Sequence, residues 1–143
     1  MFEIKTEIEI NGTAKEVWSA LVTTDQYPKW NPFIISVKGK IEKDSIIEII
    51  VQPAGEKGMR FKPKITSYEV EKELRWLGSL PIPGLFSGEH IYQLNELENG
   101  AVKFIHRETF KGLLVPFMKS KLNRGTKQGF EDMNKALKEY VER

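Results

Sequence analysis

The residues with the most chemical capacity in this 143-residue chain lie in two segments of its second half, Gly88-Glu89-His90-Ile91-Tyr92 and Phe104-Ile105-His106-Arg107-Glu108, which hold both of its histidines. Strand alternation puts His90, Tyr92 and Leu94 on one face, and Phe104, His106, Glu108 and Phe110 on one face of the next strand. A histidine opposed by a carboxylate can act as a general base whose imidazolium is stabilised, with burial bringing its pKa within reach of neutrality. Tyr92 would then donate a hydrogen bond to a carbonyl oxygen. His90, His106, Glu108 and Tyr92 are therefore the candidate catalytic set. The bland alternative is that His90 and Glu108 satisfy each other across two strands, while His106 and Tyr92 orient a ligand or share a buried polar network. Two histidines and a carboxylate can also hold zinc, but no helix-borne ligand motif accompanies them, and neither a metal nor a cofactor is expected.

Other chemistries find no residues to carry them. The chain has no cysteine, which removes disulfides, thiolate nucleophiles and cysteine-ligated metals. Lys38-Gly39-Lys40 and Gly55-Glu56-Lys57-Gly58 read as turns, since no glycine-rich strand-to-helix junction occurs, and there is no nucleophile triad. Arg60, Arg75 and Arg107 would pair with a ligand carboxylate only if they pointed inward; alternation puts Arg107 on the face opposite His106 and Glu108.

The two chemistry-bearing segments must be positioned by a hairpin. Strands over about 86 to 97 and 101 to 110 flank Glu98-Asn99-Gly100, and directly opposed residues must share a face. A three-residue loop with Gly100 in the left-handed conformation meets that condition and sets Leu97 against Ala101, Leu94 against Phe104, Tyr92 against His106 and His90 against Glu108. Upstream, Phe2, Ile4, Thr6, Ile8 and Ile10 alternate with polar residues as a half-buried strand. Thr13-Ala14-Lys15-Glu16 has capping-box spacing before an amphipathic helix, and Tyr27 to Phe33 reads as a helical turn and a docked connection. Strand-like runs follow at about 33 to 41, 45 to 52, 58 to 70 and 73 to 79. Within the third, the face slips near Thr66, which predicts a β-bulge. The breaker-rich apolar stretch Leu80 to Phe86 reads as a loop able to guard an opening.

From about Phe117 to Val141 the pattern predicts one long helix. Met118, Leu122, Gly125, Gly129, Met133, Leu137 and Tyr140 form its apolar stripe. An interior glycine costs roughly 1 kcal/mol relative to alanine, so the two glycines imply close packing or space left to a ligand; the second is the preferred reading. Trp18 and Phe33 are expected in the core, and Trp76 and Phe86 in contact with ligand. The candidate ligand-binding set is Trp30, Trp76, Phe86, Tyr92, Leu94, Phe104, Phe110, Met118, Leu122, Gly125, Gly129 and Met133.

Length fits one domain, residues 1–143, and the 40% hydrophobic and 29% charged composition fits a globular one. A net charge of +2 is too small to announce a nucleic-acid binder. The cations are uneven, however: no acid lies between Glu108 and Glu131, where Lys111, Lys119, Lys121, Arg124 and Lys127 fall. The N-terminus lacks the continuous apolar run of a secretory signal and no segment reaches spanning length, so a cytoplasmic protein without stable membrane insertion is expected, as monomer or homodimer.

The element order, together with Val17-Trp18, Tyr27-Pro28-Lys29-Trp30-Asn31-Pro32-Phe33, Gly88 to Tyr92, Phe104 to Glu108 and Gly112-Leu113-Leu114-Val115-Pro116, resembles the START-like superfamily that includes the birch-pollen allergens, and within it the polyketide cyclase/dehydrase branch. The resemblance spans nearly the whole chain. It implies an α+β helix-grip fold, with a curved antiparallel sheet of about seven strands wrapped around the long C-terminal helix and two short helices after the first strand. It also implies a gap between sheet and helix that holds a hydrophobic or amphipathic molecule. Three functions follow as expectations: a binder or carrier of such a molecule; a cyclase, dehydratase or hydrolase using the His/Glu/Tyr set; and a module presenting its basic helix start and Leu113 to Phe117 to a membrane surface or protein.

Overall fold

A computed structural model describes residues 1–143. Strand β1 (Phe2–Ile10) leads into helix α1 (Ala14–Val22), a 3-10 turn (Thr24–Gln26) and the short α2 (Tyr27–Trp30). The remaining strands are β2 (Ile34–Lys38), β3 (Glu48–Val51), β4 (Met59–Phe61), β5 (Lys64–Glu69), β6 (Glu73–Ser79), β7 (Ser87–Glu96) and β8 (Val102–Lys111). The chain ends in α3 (Val115–Lys121), a π-helical turn (Leu122–Thr126) and α4 (Lys127–Glu142). The sheets are antiparallel, one ordered β1-β8-β7-β6-β5 and the other β2-β3-β4, joined at a bridge between Ile46 and Lys64.

Local chemistry explains most of these boundaries. Thr13 and Glu16 form the reciprocal capping box that starts α1. The Tyr27 hydroxyl donates to the Leu21 carbonyl at 2.6 Å, and Asn31 Oδ1 accepts from the amides of Phe33 and Ile34, which pins the connection into β2. The expected run over 58 to 70 is two strands, β4 and β5, so the fold has eight strands where about seven were expected. Pro63 lies between them and cannot donate to a ladder. The ladder of β5 slips register between Ile65 and Ser67, where the change of face placed the bulge. The last hairpin has the expected register throughout, with Gly100 at φ +87° and the Leu97 amide bonded to the Ala101 carbonyl at 2.8 Å.

The C-terminal helix crosses the concave face of the five-stranded sheet. Phe130, Met133 and Leu137 are fully buried there, in one core with Ile4, Ile10, Trp18, Tyr27, Phe33, Leu74, Trp76, Tyr92 and Phe104. Gly129 departs from the expectation of empty space. A Cβ at that position would overlap the Phe33 ring, so this glycine admits an aromatic side chain of the protein itself. Gly125 is less crowded, with only Pro53 nearby at 3.9 Å from a built Cβ.

Replacing Gly129 by Ala should therefore destabilise the protein by about 1–3 kcal/mol, because overpacking outweighs the gain in helix propensity. Gly125→Ala should be neutral or stabilising, by up to about 1 kcal/mol. Equilibrium denaturation checks both. Equal effects at the two sites would contradict the packing of Phe33 against Gly129.

Candidate functional site

On the concave face, pairing across β6, β7, β8 and β1 builds rows of residues. One row runs Leu74, Tyr92, His106, Thr6 and the next Trp76, His90, Glu108, Ile4; a third runs Gly78, Gly88, Phe110, Phe2. The structure thus brings the candidate catalytic residues together, but not in the expected pairs. His90 Nε2 lies 2.7 Å from His106 Nε2, and Glu108 has no hydrogen bond or ion pair. No group of three metal-type side chains gathers here or elsewhere.

The proton positions in this pair follow from its surroundings. The Thr6 hydroxyl donates to the His106 carbonyl oxygen at 2.8 Å, which can only accept. With its single proton committed there, Thr6 Oγ1 must accept at 2.9 Å from Asn134, which therefore presents its NH₂ to threonine and its Oδ1 to His106 Nδ1, also at 2.9 Å. His106 then carries its proton on Nδ1 and accepts at Nε2, so His90 donates from Nε2. What remains is the lone pair of His90 Nδ1, buried and without a partner. Asn134, on the polar side of the expected helix stripe, was missed by sequence reasoning. Its only signal is its place one residue beyond Met133, and its contact with Thr6 spans 128 residues.

Packing holds both imidazoles in the neutral form. The Trp76 ring stacks on His90 at 4.5 Å, and Phe130 stacks on His106 at 3.9 Å. Burial, reinforced by the neighbouring His106, lowers the His90 pKa far below the ordinary histidine value. Burial takes His106 down to about 3 despite the opposing bond to Asn134. Glu108 is partly accessible at its rim yet closely surrounded by protein, and this desolvation raises its pKa to about 8. Its carboxyl lies over Gly88, where no side chain competes for the space. Tyr92 is fully buried and donates to Met133 Sδ at 3.6 Å, so its hydroxyl is spent inside the core.

The inward face carries no cation. Arg60 pairs with Glu48, Arg75 with Glu73 and Glu89, and Arg107 with Glu3 at 2.8 Å, as alternation predicted for Arg107. Partial burial alone would raise Glu73, but hydrogen bonds from Arg75, Gln93 and Ser67 bring it to about 2.

Of the candidate ligand contacts, Trp30, Trp76, Leu94, Phe104, Phe110, Leu122 and Met133 are buried in the core, and Phe86 and Met118 pack at its edge. Trp30 stacks on Tyr140 at 5.4 Å and leaves its buried Nε1 without a partner. Two surface depressions lie elsewhere. One, of about 270 Å³, runs between β1 and α4 past Lys5, Glu7, Lys127 and Glu131. The other, of about 440 Å³, is bordered by Val22, Thr24, Gly39 and Tyr68.

An antiparallel sheet curved against a C-terminal helix, with an apolar inner face and a few inward polar groups, is an α+β helix-grip fold of the START-like class. The chain belongs to the family described as polyketide cyclase / dehydrase and lipid transport, whose model matches residues 1–142. A START superfamily protein from Mycobacterium smegmatis shares the fold at a TM-score of 0.74 and 19% identity, with 98% of this chain and 97% of that one covered. Protein MLL2253 from Mesorhizobium loti aligns at a TM-score of 0.77 and 16% identity, over 99% of this chain and 98% of that one. The hypothetical protein jhp0584 from Helicobacter pylori aligns at 0.80 and 12% identity, over 98% and 88%. No curated protein matches the chain significantly.

Two predictions follow from the site. Long-range ¹⁵N NMR should find His106 as the Nδ1–H tautomer and His90 as the Nε2–H tautomer; the reverse at either ring would break the derived hydrogen-bond path. Second, the unfolded chain protonates its histidines below about 6.5, so the two buried rings stabilise the fold above that pH and lose this contribution as pH falls. Glu108 works in the opposite sense: from about 4.5 to about 8 the unfolded chain gives up a proton that the folded chain keeps, and stability declines as pH rises. Glu108→Gln should therefore gain melting temperature relative to the parent as pH rises from about 5 to about 8. A pH-independent difference would show that the carboxyl is not desolvated.

Proposed function

We propose that the protein binds an amphipathic small molecule between the concave sheet and the C-terminal helix, with a neutral hydroxyl-like group at the polar end of the ligand. The observation that carries this reading is the orphaned lone pair of His90 Nδ1, a buried acceptor on the inner face. A buried acceptor with no donor costs about 1–3 kcal/mol, which a ligand hydroxyl would recover. Glu108, protonated at neutral pH and without a partner, supplies a donor on the same face. Gly78 and Gly88 sit opposite each other beside it, and the room above Gly88 is what the Glu108 carboxyl occupies. The π-helical turn over Leu122–Thr126 interrupts the covering helix at Gly125, giving α3 a point at which to move away from the sheet.

The geometry favours binding over turnover. His106 has both ring nitrogens occupied, and His90 is held so far below its ordinary pKa that it makes a weak base near neutrality. A carboxylate ligand is disfavoured as well, since it would meet Glu108 and no inward arginine or lysine.

A medium-chain alcohol and the carboxylate of equal length, titrated against tryptophan fluorescence, separate these possibilities because Trp76 stacks on His90. The alcohol should bind at least about tenfold more tightly, an unpaired buried charge being far costlier than a satisfied hydroxyl. Preference for the carboxylate would overturn the assignment of the polar end. Failure of both to bind, with no small molecule extractable from the purified protein, would defeat the binding reading itself.

A further inference from the structure

At one end of the molecule the loop joining β6 to β7 meets the segment joining β8 to α3. The Leu113 amide donates to the Gly84 carbonyl at 3.1 Å and the Leu114 amide to the Leu85 carbonyl at 3.0 Å. Gly112, at φ +127°, lets the two backbones touch, since a Cβ there would collide with Leu85. The two segments are therefore fixed to each other, and their apolar side chains divide. Val115 turns into the core and Leu114 is half-buried, whereas Ile82 (64%), Leu113 (77%) and Phe117 (85%) project into solvent. Leu80, at the foot of the first loop, is exposed too. Nothing in the fold uses these side chains, and large exposed apolar groups on two joined loops and the first turn of α3 mark an interaction surface.

Charge identifies the partner. From Ser79 to Gly88 the chain has no charged residue, and from Thr109 to Phe130 it has only cations. Lys111 flanks Leu113, Lys119 follows Phe117 by two residues and lies over the Phe2 ring at 5.6 Å, and Lys121 follows Phe117 by one helical turn. None of these lysines, nor Arg124, is in an ion pair. Exposed aliphatic and aromatic side chains with cations free of ion pairs beside them suit a deformable, negatively charged, apolar-cored partner. We infer that the Ile82, Leu113 and Phe117 crest docks onto the surface of an anionic lipid bilayer, inserting these three side chains among the headgroups while Lys111, Lys119, Lys121 and Arg124 engage their charge. No helix of the protein is long and apolar enough to cross a membrane, so the contact is interfacial. This inference stands independently of what the concave face binds.

Vesicle sedimentation tests it with the whole chain. The protein should sediment with vesicles of phosphatidylcholine containing one-third phosphatidylserine at low salt, much less at high salt, and little with phosphatidylcholine alone. The pair Leu113→Ser with Phe117→Ser, and separately Lys119→Glu with Lys121→Glu, should each lower partitioning by about tenfold or more. Val70→Ser removes an exposed apolar residue at the opposite end of β6 and should leave partitioning unchanged. All these side chains are exposed, so melting temperatures should stay close to the parent's. Absence of sedimentation with anionic vesicles at low salt, undiminished binding by either pair, or equal loss in Val70→Ser would overturn the inference. So would a concentration-dependent dimer abolished by Phe117→Ser, which would make the crest an interface between copies.

Discussion

The hydrogen-bond path from the His106 carbonyl through Thr6 and Asn134 to His106 Nδ1, and on to His90, sets conditions that the rest of the interior obeys. It ties β1, β8, β7 and α4 together at one point of the core, where each polar group would be costly if left alone. Because Thr6 has one proton and a carbonyl can only accept, every donor and acceptor along the path is determined, down to the unused lone pair of His90. One flat face of each imidazole is covered, that of His90 by Trp76 and that of His106 by Phe130, which helps to hold both rings desolvated and neutral. Helix position and tautomer are thereby coupled: α4 sits where Asn134 can reach both Thr6 and His106.

The outer face of the same sheet is held by charge. Ser67 and Gln93 bond to Glu73, Arg75 bridges Glu73 and Glu89, and Arg107 links Gln93 to Glu3, so one polar network crosses β5, β6, β7, β8 and β1. This arrangement commits Arg75 and Arg107 to the outer face and leaves the inner face without a cation to meet an acidic ligand. The two faces therefore differ in kind, with screened ion pairs outside and neutral, desolvated groups inside. That asymmetry gives Glu73 and Glu108 opposite fates, one far below the ordinary carboxylate range and one well above it.

Much of the fold was legible in the chain because its signals are local. The capping box at Thr13, the alternation of β1, the bulge in β5 and the three-residue loop at Gly100 each depend on residues within a few positions of one another. Their register alone placed His90 opposite Glu108 and Tyr92 opposite His106. The pairing that matters was not legible, because backbone opposition fixes Cα positions and not the directions of side chains. His90 turns to the diagonal neighbour His106, and Glu108 leans over Gly88. Likewise the glycine at 129 announced an absence of side chain without saying what would fill the space.

The sequence by itself determined the elements and their order, the face shared by His90, Tyr92, His106 and Glu108, and the crowding of cations ahead of the last helix, while its resemblance to a known family implied the class of fold. The first three follow from periodicity, turn chemistry and charge, all of which act over short stretches of chain. Only the tertiary structure decided that Asn134 reaches Thr6 from the far end of the chain, that Phe33 occupies the notch at Gly129, and that Leu113 and Phe117 stay outside while Val115 goes in. Those outcomes depend on which surfaces meet when the helix closes on the sheet, and contacts at such sequence separations leave no local pattern from which to read them.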